Sequence, residues 1–308
     1  MAVGDTITAA RYNQLQARIN GVMGKGAGDE GYGQALSSFQ VSANATVEAD
    51  HMSRLFEDIK KARVHQTGSL PSEIADMAVG DLIEDSNPTT KKGMAEFEAL
   101  SLDVVSDRLN IATGQSGVET GVSSFTDTDW NGTIYHEVTV TFQAYNVTNG
   151  DGTTTNMTAS DHRRAFFNAG GEIVFSGSLA SGGGAIDTDW RNLLTNVGLV
   201  RFGHSATSNG SEGTVIGHTD LTTSYQTIFT KTASSYADND FTIQAKEDAT
   251  DGPVLRFRIY FNDDKGPNPN FDEAVTPRTT STVQCNRPNN VNSVNVNKPV
   301  FANARNLS

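Results

Sequence analysis

Cysteine is almost missing from this 308-residue chain: Cys285 stands alone, so no disulfide can form within it. No apolar run approaches the roughly 18 residues a membrane helix needs, which excludes insertion as a helical span. Cations are scarce, with 23 Lys and Arg against 36 Asp and Glu and a net charge of −13. Neutralising phosphates takes clustered Lys and Arg, so nucleic acid is excluded as the main partner. The opening "MAVGDTITAA" lacks the basic, apolar and small-residue regions of a secretory signal, so synthesis in the cytoplasm is expected. The triplets "NAT", "NGT", "NVT" and "NMT" then read as solvated turns.

Catalytic spacings are equally thin. His51, His65, His136, His162, His204 and His218 show neither H-x-x-x-H nor H-E-x-x-H, so a zinc site would need distant segments. "GQSGV" places Val118 where a nucleophile elbow needs glycine. Gly26, Gly28 and Gly31 fit G-x-G-x-x-G but follow a predicted helix, whereas a dinucleotide fingerprint follows a strand. Asp263 and Asp264 read as a solvated turn, and a sugar-cleaving pair would have to hold two acids across a groove. "DTDWNGTI" sets Asp127, Asp129 and Asn131 at alternate positions of a calcium-type loop, yet position 12 is Val138 and a strand follows. A polar turn is the competing reading, and no cofactor is expected. No enzyme reading has two independent supports.

Glycine (29 residues) and phenylalanine (15) are plentiful, a composition suited to β structure with many turns. The first 112 residues nevertheless read as helical. "VGDTITAARYNQL" and "ANATVEADHMSRL" share T-[IV]-x-A-x-x-x-x-x-L. Tyr12, Leu15, Ile19 and Val22 line one face of the first predicted helix, and Met52, Leu55, Phe56 and Ile59 one face of the second. "MAVGD" recurs at Met77 to Asp81, before a third predicted helix over 91–109 with Met94, Phe97, Val104 and Val105 apolar.

From about Gly114 the period changes to two. Ile134, His136, Val138, Val140 and Phe142 alternate with Tyr135, Glu137, Thr139 and Thr141. "EIVFSGSL", "LTTSYQTIFTK", "DFTIQAK" and "VLRFRIYF" repeat the pattern, with a hairpin turn at "KEDATDGPVL". "DTDWRNLLTNVG" interrupts as a helix capped by Asp187 or Thr188, with Trp190, Leu193, Leu194 and Val197 inward and Gly198 as its stop. The expected fold is α+β: a helical N-terminal region (1–112), an antiparallel β-sandwich with a capping helix (113–273), and a basic Asn/Pro-rich arm (274–308). That arm carries Arg278, Arg287, Lys298 and Arg305 and no acid, hence +4 against −17 for the remainder of the −13 total. It is expected to lie on the acidic body of a neighbouring copy as an added strand, or to form a poorly ordered tail.

"DHRRAFFNAGGEIVFSG" reads as a turn into a strand: Phe166 and Phe167 anchor it, Gly170 and Gly171 turn it, Asn168 is a further structural or interface position, and Ile173, Phe175, Gly177 and Leu179 share a face. Arg163 and Arg164 would then meet an acid on an adjoining chain. These words, with "YNQLQARINGVMGKG", "GYGQ", "HQTG", "T-x-W-x-N-L-L" and "LTTSYQ", resemble a family of tail-associated virion proteins of tailed bacteriophages, especially marine and cyanobacterial ones. The matches are Tyr12 to Gly26, Gly31 to Gln34, His65 to Gly68, Arg164 to Ile173, Thr188 to Leu194 and Leu221 to Gln226.

The resemblance implies a non-enzymatic, multi-copy part of the virion tail, such as a fibre, baseplate or neck component. Its implied partners are copies of itself and other virion proteins. A capsid decoration protein, and a host-receptor or glycan-binding module using Tyr225, Tyr236 and Tyr260, are the alternatives. A polysaccharide-cleaving tail enzyme is a third class.

Overall fold

The computed structural model describes residues 7–264 and 273–308. The first copy of "MAVGD" and the turn "KGPNPN" lie outside the described residues. Among those described, five helices and thirteen strands form an α+β fold with antiparallel sheets, and no helix is long and apolar enough to cross a membrane. The chain divides into two compact units, each assembled from three separate stretches.

The first unit comprises residues up to Gly117, Ala144–Gly170 and Arg287–Asn297. Its helices are α1 (Ala9–Met23), α2 (Ala49–Thr67), α3 (Met94–Ser106) and α4 (Ala159–Asn168), with a hairpin of β3 (Tyr145–Thr148) and β4 (Thr154–Met157). Thr8 caps α1 by accepting from the Arg11 amide, and His51 Nδ1 accepts from the Glu48 amide at the start of α2, each satisfying a donor that a helix start leaves open. The two-copy echo is visible in space: Tyr12, Leu15 and Ile19 of α1 and Met52, Leu55 and Ile59 of α2 are all fully buried. The third predicted helix starts at Met94 and ends at Ser106. It does not follow its "MAVGD" lead directly, because Ala78–Asp81 closes a turn and Glu84 bridges to Gly93 first.

The second unit holds Val118–Gln143, Gly171–Asn286 and Lys298–Ser308. Its strands are β1 (Ser116–Phe125), β2 (Gly132–Thr141), β5 (Glu172–Leu179), β6 (Val200–Phe202), β7 (Thr207–Ser208), β8 (Gly213–Thr214), β9 (Gln226–Thr232), β10 (Asp240–Glu247), β11 (Val254–Asp263), β12 (Thr279–Pro288) and β13 (Val300–Arg305). They form one sheet in the order β1-β12-β5-β6-β7-β8 and another in the order β13-β2-β11-β10-β9. The sheets face each other across aromatic side chains, with Phe257 5.0 Å from Phe175 and 5.3 Å from Phe202 between ring centres. This is the sandwich expected from the alternation, since one buried face per strand demands a second sheet to cover it.

Helix α5 (Ala185–Val197) packs on β5, with Trp190, Leu193, Leu194 and Val197 buried. Its N-cap is Gly184, and Asp187 sits three residues in, accepting from the Gly184 amide. Trp190 meets Trp130 edge-on at 5.2 Å, a favoured arrangement for aromatic pairs.

Several sequence expectations are corrected. Residues 274–308 are not an arm: β12 lies inside the six-stranded sheet between β1 and β5, β13 pairs with β2, and 287–297 belongs to the first unit. The reason is that β12 alternates Thr279, Ser281, Val283 and Cys285 inward, and small hydroxyl side chains hide a buried strand face from a hydrophobicity count. The boundaries 1–112 and 113–273 likewise give way to two interleaved units. The stretch 161–168 is also not a turn. It is the body of α4, opened by Thr158 and Asp161, which accept each other's backbone amides, the S/T-x-x-acid signature of a helix start.

Candidate functional site

Four of the sequence words singled out above, at 12–26, 31–34, 65–68 and 164–170, lie in the first unit, whereas 188–194 and 221–226 belong to the second. Arg164 donates to the carbonyls of Lys25 (2.7 Å) and Gly28 (2.8 Å) and pairs with Asp161 at 3.0 Å. Asn168 Nδ2 donates to the Asp29 and Gly31 carbonyls. The buried His65 ring bonds the Ala169 carbonyl at 3.0 Å and packs edge-on against Tyr32 at 5.2 Å, while the Gln66 amide reaches the Tyr32 hydroxyl.

Burial pushes the His65 pKa down to about 4, against the opposing pull of its bond to Ala169. Burial likewise pushes Tyr32 up to about 12. Gly170 turns the chain at φ 82°, where an added Cβ would meet Ile111, and the buried Gly171 precedes β5. Arg163, Phe166 and Phe167 are buried on α4, with the two phenyl rings perpendicular at 5.2 Å. The G-x-G-x-x-G run is the loop that α4 holds: Gly26, Gly28 and Gly31 all have positive φ, which glycine adopts without strain. This constellation is a scaffold. Arg164 and Asn168 satisfy backbone carbonyls of a loop in their own chain, and the acid that Arg164 meets is Asp161 of the same helix, where one on an adjoining chain was expected for Arg163 and Arg164.

The calcium-type loop is pinned by its tryptophan: Trp130 is buried and donates to Thr279 Oγ1 at 2.9 Å. Arg278 takes the Asp127 carboxylate at 2.9 Å and lies over the Phe125 ring, whereas Asp129 and Asn131 are exposed. Among the described residues no group of three His, Cys, Asp or Glu could hold a metal ion. Asp263 is not in a solvated turn but ends β11 buried, with Trp190 Nε1 3.5 Å away. The remaining cations of 274–308 bind their own chain. Arg287 donates to Asn295 and the Val296 carbonyl, Lys298 to the Thr120 carbonyl, and Arg305 to the Tyr135 hydroxyl at 2.6 Å.

The most distinctive surface of the second unit is the outer face of the five-stranded sheet. Register places Tyr135 beside Tyr260, Glu137 beside Arg258, and Thr139 beside Arg256, with Gln244 and Lys246 next along β10. Successive outward positions thus stack into rows. Arg258 lies 4.0 Å over the Tyr225 ring and bonds Glu137 at 2.6 Å. Arg305 lies 4.1 Å over Tyr135, which sits 5.1 Å from Tyr260, and Lys246 lies 5.3 Å from the Tyr225 ring centre. Partial burial works against the Arg258 charge, but Glu137 and the neighbouring tyrosines outweigh it and raise its pKa. Burial pushes Tyr225 up to about 12.

Four cations, Lys246, Arg256, Arg258 and Arg305, stand here against Glu137, Asp240 and Asp248, on a chain whose net charge is −13. Cation–ring stacking fixes long side chains in place and lowers the entropy they lose on meeting a partner. Of the tyrosines singled out in the sequence, Tyr225 and Tyr260 belong to this face and Tyr236 does not. The alternation already turned Tyr135 and Glu137 outward; what the sequence hid was the register that sets Arg258 and Arg305 on them.

Comparison with protein-family models, curated proteins and solved structures yields no match.

Proposed function

We propose that this chain is a non-enzymatic structural component of a tailed-phage virion, tail-associated as a fibre, baseplate or neck part, which assembles with further copies of itself. The observation that carries the reading is the Tyr–Arg face of the β-sandwich. Tyr and Arg are among the residue types most enriched at interface hot spots, and here they are pre-stacked on a rigid sheet. A face carrying four cations to three acids, on a chain whose net charge is −13, suits a head-to-tail contact, in which one copy's face meets the acidic surface of the next. Such heterologous contacts generate rings or filaments. The likeness of the "R-x-F-F-N-x-G-G-x-I" words to tail-associated proteins supplies the particle.

The test is the solution mass by light scattering, for the intact chain and for the double variant Tyr260→Ser/Arg305→Ala. Both positions lie on the outer face, so the core is untouched. A discrete oligomer that the double variant converts to monomer, with its thermal unfolding unchanged, is the expected result. A wild-type monomer at every concentration, or a variant of unchanged mass, overturns the assembly reading.

A further inference from the structure

The first unit carries a cleft of about 610 Å³ that the assembly reading does not use. One wall is the C-terminal half of α1 with the glycine loop after it, and the other is the β3–β4 hairpin with its turn, where Asp151, Thr153 and Thr155 line the space. Phe39 and Gln40 contribute to it as well. On the α1 side Ala17, Gly21 and Gly24 present almost no side chain, Asn20 and Glu30 reach over the two glycines, and Gln16 also lines the cleft. That glutamine is only 3% exposed, its Nε2 donates to the Ser38 carbonyl at 3.5 Å, and its Oε1 has no hydrogen-bond partner among the described residues. A buried amide oxygen without a partner is costly to the fold, so it marks a place where a donor from outside is expected.

The lining selects the ligand class. An apolar ligand is disfavoured by walls of amide, hydroxyl and carboxylate groups. An anion is disfavoured because Asp151 and Glu30 both line the cleft, and the one cation among its described lining residues, Lys25, is engaged by Asp161 at 2.9 Å. A cation would meet Glu30 alone, because the Asp151 carboxylate is engaged by the Thr153 amide and hydroxyl, so the amides and hydroxyls that make up most of the lining suit a neutral molecule dense in hydroxyls. Each hydroxyl both donates and accepts, which matches planar amide and carboxylate groups that present two polar atoms side by side. An aromatic ring among polar groups adds a surface for the C–H face of a sugar ring. The volume lies within the roughly 300–1,000 Å³ of small-molecule sites, enough for a short oligosaccharide.

We infer that the cleft between α1 and the β3–β4 hairpin is a binding site for a neutral saccharide, held at its floor by Gln16. This stands independently of the assembly reading, since it uses a different unit and none of the Tyr–Arg face.

The experiment is saturation-transfer NMR on the intact chain with maltotriose, cellotriose, mannotriose and triacetylchitotriose at millimolar concentration. Two variants accompany it. Gln16→Met keeps the shape of the side chain without its amide. Ala17→Trp fills the cleft from an exposed helix position, so it stays testable even where the floor variant folds poorly. Expected are transfer to at least one of the four sugars, affinity lowered about tenfold by Gln16→Met, and loss of binding in Ala17→Trp. Transfer to none of the four, or binding that survives in Ala17→Trp, overturns the assignment. Light scattering on the same samples separates this outcome from that of the assembly test.

Discussion

Acid should loosen the first unit through one histidine. His65 is fully buried, bonded through Nε2 to Ala169 and wedged against Tyr32, and its pKa falls from 6.5 to about 4 on folding. The folded state therefore resists a proton that the unfolded chain accepts. Well above pH 6.5 neither state is protonated and there is no penalty. As pH drops below that value the unfolded state gains the proton first, and stability falls by about 1.4 kcal/mol per pH unit until the folded pKa is reached. Integrated from pH 7 to pH 4, the loss attributable to His65 is about 3 kcal/mol.

His136 and Asp58 also act in or near this window. His136, lowered by burial, adds to the loss in the second unit. Asp58 in the first unit is raised by burial despite accepting the Ser37 and Ser38 amides, so it takes up a proton earlier when folded and opposes the loss. Carboxylates held low, Asp161 among them, give up stability only nearer their own unfolded values, around pH 4. The His65 contribution is isolated by comparing wild type with His65→Gln, which keeps a donor toward Ala169 but cannot titrate.

The assay is urea unfolding at pH 7 and pH 4 followed by far-ultraviolet circular dichroism, which weights α1 to α4. Tryptophan emission serves as the control, because Trp130 and Trp190 both belong to the second unit. The expected result is a dichroism transition that loses about 3 kcal/mol more in wild type than in His65→Gln, with the emission transition alike in both. Equal losses in the two proteins, to within about 0.5 kcal/mol, would refute the reasoning.

Two further outcomes follow from named contacts. Asp161→Asn removes the carboxylate that serves the Thr158 amide, Lys25 and Arg164 together, and should lower the dichroism transition by about 2 kcal/mol, more than an exposed cap would. Unchanged stability would mean that the three partners find solvent at no cost. Cys285 is fully buried within β12, so its thiol should react with a disulfide reagent only at the rate at which the second unit opens, tracking tryptophan emission across a urea series. Prompt reaction without urea would contradict that burial.

The legible parts of the fold are those whose pattern is written in apolar residues. Tyr12, Leu15, Ile19 and Val22 mark α1, and Ile134 through Phe142 mark β2, because large side chains repeating every 3.6 or 2.0 residues belong to one face of a helix or a strand. Helix α4 is hidden for the opposite reason. His162, Arg163 and Asn168 are polar yet buried, so Phe166 and Phe167 stand in the sequence without a periodic frame, and only the Thr158–Asp161 capping pair signals a helix start. Strand β12 is hidden because Thr279 and Ser281 face inward beside Val283 and Cys285. A chain ended at Glu273 would therefore lose an interior strand of the six-stranded sheet rather than a removable arm. The candidate surface is half legible: alternation puts Tyr135 and Glu137 outside, but rows across strands depend on pairing partners far away in the chain, as with Glu137 and Arg258.

The division of each unit among three stretches bears on how the molecule is made. Synthesis runs from the N-terminus, and domains usually close as soon as their residues have emerged. Here the first unit still lacks 287–297, in which Ser293 and Asn290 bond Gln115, when nearly all of the second has appeared. The first unit is supplied in full only at Asn297, and only Lys298–Ser308 of the second remains to be made after it, so both are completed at nearly the same moment. Until the stretch from Arg287 onward has emerged, the first unit lacks the partners of Gln115 and the second lacks β13.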